Sequence, residues 1–161
     1  MRVLEVSLLS LLSVVGCGGT PQPSALFDPR QLDEAVASSS KSDKIDLNIH
    51  TDDIGAMPAT RSGNFERSRL ECYYYSHSAA TNDSVLAIAL SSPSPDAFPL
   101  LALYGPESDV GTYPTHLALS AEVTGAQISQ VLPSVGRYLI VAGDVSEGNA
   151  EYKIDLSTKA P

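Results

Sequence analysis

Three histidines, His50, His77 and His116, are the side chains of this sequence best suited to moving a proton or holding a metal. They are far apart in the chain, and none sits in a Gly-x-Ser-x-Gly, His-Glu-x-x-His or Cys-x-x-Cys pattern. A small hydrolase here would have to pair one of the many serines with His77 or His116. The richest set of ligand types is Asp46-x-Asn48-x-His50 followed by Asp52-Asp53. Alternating oxygen ligands can wrap a calcium ion, but an EF-hand loop also needs Gly at its sixth position and an acid at its twelfth. Those positions hold Thr51 and Met57, and a strand with a solvated acidic face accounts for the same residues. Tyr73-Tyr74-Tyr75 invites a binding role, because exposed aromatics anchor partners. Strand alternation sends Tyr73 and Tyr75 one way, into the core, and Tyr74 the other. Tyr113, in a long loop, is freer still. Asn82-Asp83-Ser84 has the form of a glycosylation sequon and is read as a turn. No catalytic residue, cofactor or metal is assigned.

The first seventeen residues carry a different chemistry. MRVLEVSLLSLLSVVGC has Arg2 as a short positive region and an apolar run from Val6 to Val15. Ten helical residues span about 15 Å, half of the roughly 30 Å hydrocarbon core, so this is a secretory signal and not a membrane span. Glu5 is an unusual acid at its edge. The ending Val14-Val15-Gly16-Cys17 resembles the lipobox of bacterial lipoproteins. The resemblance implies cleavage after Gly16, with residues 1–16 as signal peptide, and acylation (palmitate or related chains) of Cys17. Two or three acyl chains, at about 0.8 kcal/mol per buried methylene, anchor far better than one. It also implies an envelope location; Gly18, where an acid would favour the inner membrane, favours the outer one. The only other cysteine is Cys72. With Cys17 consumed it has no partner, and within an apolar strand it is expected as a buried thiol.

Residues 17–44 are rich in Gly, Ser, Pro and Thr and are expected as a flexible, lipid-anchored spacer. One island differs. Asp28-Pro29-Arg30-Gln31 supplies a cap, a first-turn proline and a glutamine at the third position, and Leu32, Ala35 and Val36 then share a face. This predicts a short helix over 29–37. Ile45, Leu47 and Ile49 alternate with polar residues as in a strand, and Gly55, Pro58 and Gly63 are expected to break its continuation.

From Leu70 onward, short apolar runs alternate with turn signals: 70–77, 85–90, 100–104, 117–123, 126–132, 138–142 and 152–156. About seven strands predict an all-β, antiparallel, jelly-roll-like sandwich over residues 45–161. Tyr73/Tyr75, Leu86/Ile88/Leu90, Leu101/Leu103, Tyr138/Ile140 and Tyr152/Ile154/Leu156 form its inward layer, and Gly136 marks a turn needing positive φ. Three segments carry a family likeness. These are Glu71-Cys72-Tyr73-Tyr74-Tyr75, Leu100-Leu101-Ala102-Leu103-Tyr104-Gly105, and the hairpin formed by 132–141 and 151–156 with its Gly136-Arg137-Tyr138. They resemble the bacterial pre-peptidase C-terminal domain over about residues 64–157. Two departures matter: Asp96 is displaced from the Leu-x-Leu-Tyr strand by Ala97-Phe98-Pro99, and the loop 105–116 is long. The calcium site of some members is therefore not carried over.

Ten basic against nineteen acidic residues give a net charge of −9, which excludes binding nucleic acid through bulk electrostatics. The expectation is a non-catalytic envelope lipoprotein, held to the membrane by its N-terminal lipid and displaying a module for a protein or polysaccharide ligand. An accessory or inhibitory partner of a separately encoded secreted protease is the alternative.

Overall fold

A computed structural model describes residues 28–38, 45–78, 85–123, 125–146 and 148–160. The leader with Cys17 and the sequon at 82–84 lie outside the described residues. Among the described residues one helix, α1 (Pro29–Ser38), precedes nine strands: β1 (Asp46–Asp53), β2 (Ala59–Phe65), β3 (Arg69–His77), β4 (Val85–Ser91), β5 (Pro99–Tyr104), β6 (His116–Ala121), β7 (Gly125–Val131), β8 (Gly136–Asp144) and β9 (Ala150–Lys159). They form a five-stranded sheet, β1-β3-β8-β5-β6, and a four-stranded sheet, β2-β9-β4-β7. The chain is the expected all-β sandwich. One pairing departs from the antiparallel rule: β1 runs parallel to β3, with Asn48 opposite Glu71 and His50 opposite Tyr73.

The whole expected inward layer, from Tyr73 and Tyr75 to Ile154 and Leu156, is buried between the sheets. Each such Leu or Ile contributes about 1.5–3 kcal/mol. A second apolar cluster lies on the outer face of the five-stranded sheet. Cys72, Leu100, Ala102, Tyr104, Leu139 and Val141 meet Leu32 and Val36 of α1 there. Burial on both faces explains why all six residues of β5, Pro99-Leu100-Leu101-Ala102-Leu103-Tyr104, are apolar or aromatic and buried.

The helix forms where the sequence predicts it. Asp28 caps it, accepting from the Arg30 amide at 2.9 Å, and Pro29 opens it. Its setting is different from a spacer island: Leu32, Ala35 and Val36 are buried against the sandwich. The folded unit therefore takes in residues 28–38 as well as the strands. β2 is the strand the sequence conceals. Gly55 and Pro58 do lie in the turn before it, but Gly63 lies inside it. A Cβ on Gly63 would come within 2.9 Å of the Tyr152 hydroxyl. The glycine makes room for the Tyr152 ring, which stacks on Phe65 with centroids 4.3 Å apart. Gly136 has φ +149°, as its turn requires, and a Cβ there would meet Pro106 at 2.8 Å.

Candidate functional site

The polar residues singled out by sequence fall into separate places. The parallel register of β1 on β3 brings Asn48 and His50 to Glu71. Strand alternation turns both inward, while Leu47 and Ile49 pack into the outer cluster. The buried Glu71 carboxylate accepts from Asn48 Nδ2 at 2.7 Å and bonds His50 Nε2 at 2.6 Å. His50 lies flat on Tyr73, with centroids 4.4 Å apart. Beyond it, the Tyr73 and Tyr152 hydroxyls bond each other across the sandwich. Asp52 and Asp53 are exposed at the strand end, and Asp53 accepts from Ser76 Oγ at 2.6 Å and the Gly55 amide at 3.0 Å. The calcium-like pattern is thus split between an internal network and a strand end. Among the described residues no group of three or more His, Cys, Asp or Glu could hold a metal.

The other histidines are equally tied into the fold. His116 Nδ1 lies 2.8 Å from Asp33 Oδ1 of α1, which also accepts from the Tyr104 hydroxyl at 2.9 Å. These bonds fasten α1 to β5 and β6. The Tyr104 hydroxyl is pushed well above its ordinary pKa by burial, reinforced by its bond to the Asp33 carboxylate. His77 is buried beside Tyr75, whose hydroxyl is 3.4 Å from Nδ1. Cys72 is fully buried under the outer cluster, and burial, aided by the Glu71 charge, pushes its thiol up to about 12.

One end of the sandwich differs from the rest. The turns 54–58, 105–115 and 132–135 gather there, because β1, β3, β5, β7 and β9 all finish at that end. Five large apolar side chains are exposed among the described residues, and four of them belong to this end or border it: Val110 (81%), Val131, Val135 and Leu117. The Glu107 amide donates to the Arg137 carbonyl at 2.7 Å and ties the 105–115 loop to the start of β8. The Arg137 guanidinium lies over the Tyr74 ring, 3.5 Å from its centroid. Tyr74 is thus on the outer face, as alternation predicts, but half-buried and capped. Tyr113 is not free in its loop. It is buried in the outer cluster, and its hydroxyl has no hydrogen-bond partner among the described residues.

Sequence reading missed Glu71, Asp33 and Arg137. Only Glu71 left a signal: period-two alternation places it on the same face as Tyr73 and Tyr75, an acid aimed at a core. Asp33 and Arg137 acquire their roles from where α1 and the loops settle.

Neither a known family model nor a curated protein matches the chain. Solved structures do. PliG of Aeromonas hydrophila, a periplasmic inhibitor of g-type lysozyme, is 17% identical with a TM-score of 0.52, covering 73% of this chain and 100% of that one. The pre-peptidase C-terminal domain of a Bacillus anthracis collagenase is 12% identical with a TM-score of 0.50, covering 73% of this chain and 99% of that one. At these identities the likeness is one of fold, and it includes the fold that the closing hairpin resembles.

Proposed function

We propose that this chain is a non-catalytic binding module, held in the bacterial envelope by an acylated Cys17, that contacts a protein partner through the loop end of its sandwich. The observation that carries the reading is that the loops of this end expose Val110 and Val135, with Arg137, laid over the Tyr74 ring, at the start of the strand that follows Val135. Single exposed apolar residues are ordinary, whereas grouped ones mark interaction surfaces. The catalytic residue types support the same reading, since His50, His77 and His116 are spent on internal bonds. An inhibitory or accessory role, toward a secreted protease or another envelope hydrolase, is favoured by the fold likeness to PliG, a lysozyme inhibitor. The Val-Val-Gly-Cys ending and Gly18 support an outer-membrane anchor.

Two experiments test the two halves. Cys17→Ala should leave the protein unprocessed or lost from the detergent phase on partitioning; normal processing and full partitioning would end the lipoprotein reading. Capture of envelope partners by the chain should be lost in the Val110→Asp/Val135→Asp variant, which should stay folded because both positions are exposed. Capture that ignores both substitutions would place the contact elsewhere.

A further inference from the structure

We propose that Arg137 and Tyr113 form a subsite for a carboxylate group of the partner. In a chain with nineteen acids and ten bases, a guanidinium readily finds an oxygen, and three among the described residues show it. Arg30 bonds Asp28, Arg69 bonds Glu66, and Arg61 bonds the Thr60 and Ile54 carbonyls. Arg137 is different. Its contact is the face of Tyr74, at 3.5 Å, and no carboxylate among the described residues lies within ion-pair distance of it. Stacking on a ring fixes the plane of the guanidinium while using none of its N–H donors, which lie at the edge of that plane. Of the acids around it, Asp53 is engaged by Ser76 and Gly55, and Glu107, whose amide donates to the Arg137 carbonyl, forms no ion pair with the guanidinium.

Tyr113 is the independent second observation. It is 4% exposed and its hydroxyl is buried without an acceptor among the described residues. It packs in the cluster against which Tyr74, the ring under Arg137, also packs, so the two donors share one neighbourhood. A buried hydroxyl with no partner is costly, and its persistence calls for an explanation. A forked guanidinium matches the two oxygens of a carboxylate, and one of those oxygens can also accept the phenolic proton. Val135 and Val110 stand two and three residues away in sequence. The ligand is therefore a carboxylate carried next to an apolar group, as an acidic side chain or chain terminus on a protein presents it. This inference rests on the loop end being the contact surface.

Propionate, a carboxylate on a small apolar stem, is the probe, and propionamide its neutral counterpart. Each is titrated into the full-length chain in non-ionic detergent at fixed ionic strength, with the Arg137 Nε–H and the amides of 110–113 and 135–137 followed by NMR. Propionate should give saturable shifts at these positions with millimolar affinity, and propionamide at least ten-fold weaker ones. Arg137→Gln should abolish the response and Arg137→Lys weaken it several-fold, since lysine lacks the fork. Tyr113→Phe should weaken it several-fold. Equal responses to propionamide, tighter binding of inorganic phosphate, or full binding by Arg137→Gln would each overturn the subsite. No partner is present in this measurement. A failed titration beside capture that still depends on Val110 and Val135 therefore sinks the subsite alone, and the converse sinks the contact surface.

Discussion

Tyr113 hides a hydroxyl that finds no acceptor among the described residues, so its removal should help stability. An unsatisfied buried donor costs about 1–3 kcal/mol. Tyr113→Phe keeps the ring in the outer cluster and should raise the unfolding free energy by about 1 kcal/mol, read as a higher urea midpoint. A fall would mean that the hydroxyl has an acceptor after all. Cys72 makes a second residue-scale prediction. Its folded thiol keeps its proton up to about pH 12, while an unfolded thiol loses it at about 8.5. Between these values the unfolded chain binds fewer protons, so stability falls as pH rises, by about 1.4 kcal/mol per pH unit at the steepest. From pH 9 to 10 the thiol should dominate this loss, before the buried tyrosines join in. Urea titrations at pH 8, 9 and 10 should show a shallower decline in Cys72→Ala; an unchanged decline would place the titration in another group. The inward burial of Tyr73 and Tyr75 was readable from alternation, and that of Cys72, on the opposite face, from its being an unpaired thiol in an apolar strand. The pairing of His50 with Glu71 was not, because it depends on a parallel register between strands separated by β2, which no local pattern encodes.

Strand β9 shows how far pattern reaches at the scale of an element. Tyr152, Ile154 and Leu156 are buried and Glu151 and Lys153 are exposed, in strict alternation. Ile154→Ala should create a cavity and cost about 2–5 kcal/mol. Lys153→Ala removes an exposed ion pair with Asp155, of the kind worth about 0–1 kcal/mol, and should change little. Urea titration of a chain beginning at Asp28 separates the two; comparable losses would mean that the strand faces the other way. β2 shares this sheet yet escaped detection. Its sequence, Ala59-Thr60-Arg61-Ser62-Gly63-Asn64-Phe65, has small or charged residues where a core strand would carry branched ones. It is an edge strand paired to β9 alone, and its inward glycine yields its volume to the Tyr152 ring. A tertiary contact thus replaced the residue that would have announced the strand. The helix was visible through its cap and its apolar face, but nothing in ten residues says what that face will cover.

The molecule as a whole has three layers: helix, five-stranded sheet and four-stranded sheet. The two apolar clusters meet across the five-stranded sheet but involve different faces of its strands. Tyr138 and Ile140 of β8 belong to the interior, Leu139 and Val141 to the outer cluster. Such layering allows the outer one to open without the inner one, because sub-global opening follows the boundaries of buried apolar contact. Cys72 is a natural reporter, being buried in the outer cluster and shielded from the interior by the plane of the sheet. In a chain beginning at Asp28 it is the sole cysteine. Its reaction with a thiol reagent should be slow in the native protein and fast in denaturant. Leu32→Asp sets a charge where the helix is fully buried and should drive α1 off the sheet. The thiol should then react at least ten-fold faster than in the parent, at urea concentrations where tyrosine fluorescence still reports an intact interior. Asp33→Ala should act in the same direction and more weakly, since it removes the acceptor of Tyr104 and the tie to His116 but leaves Leu32 and Val36 in place. If labelling instead rises only in step with global unfolding in both variants, the helix and the sandwich are one cooperative unit, and the cover over Cys72 is as permanent as the core beneath it.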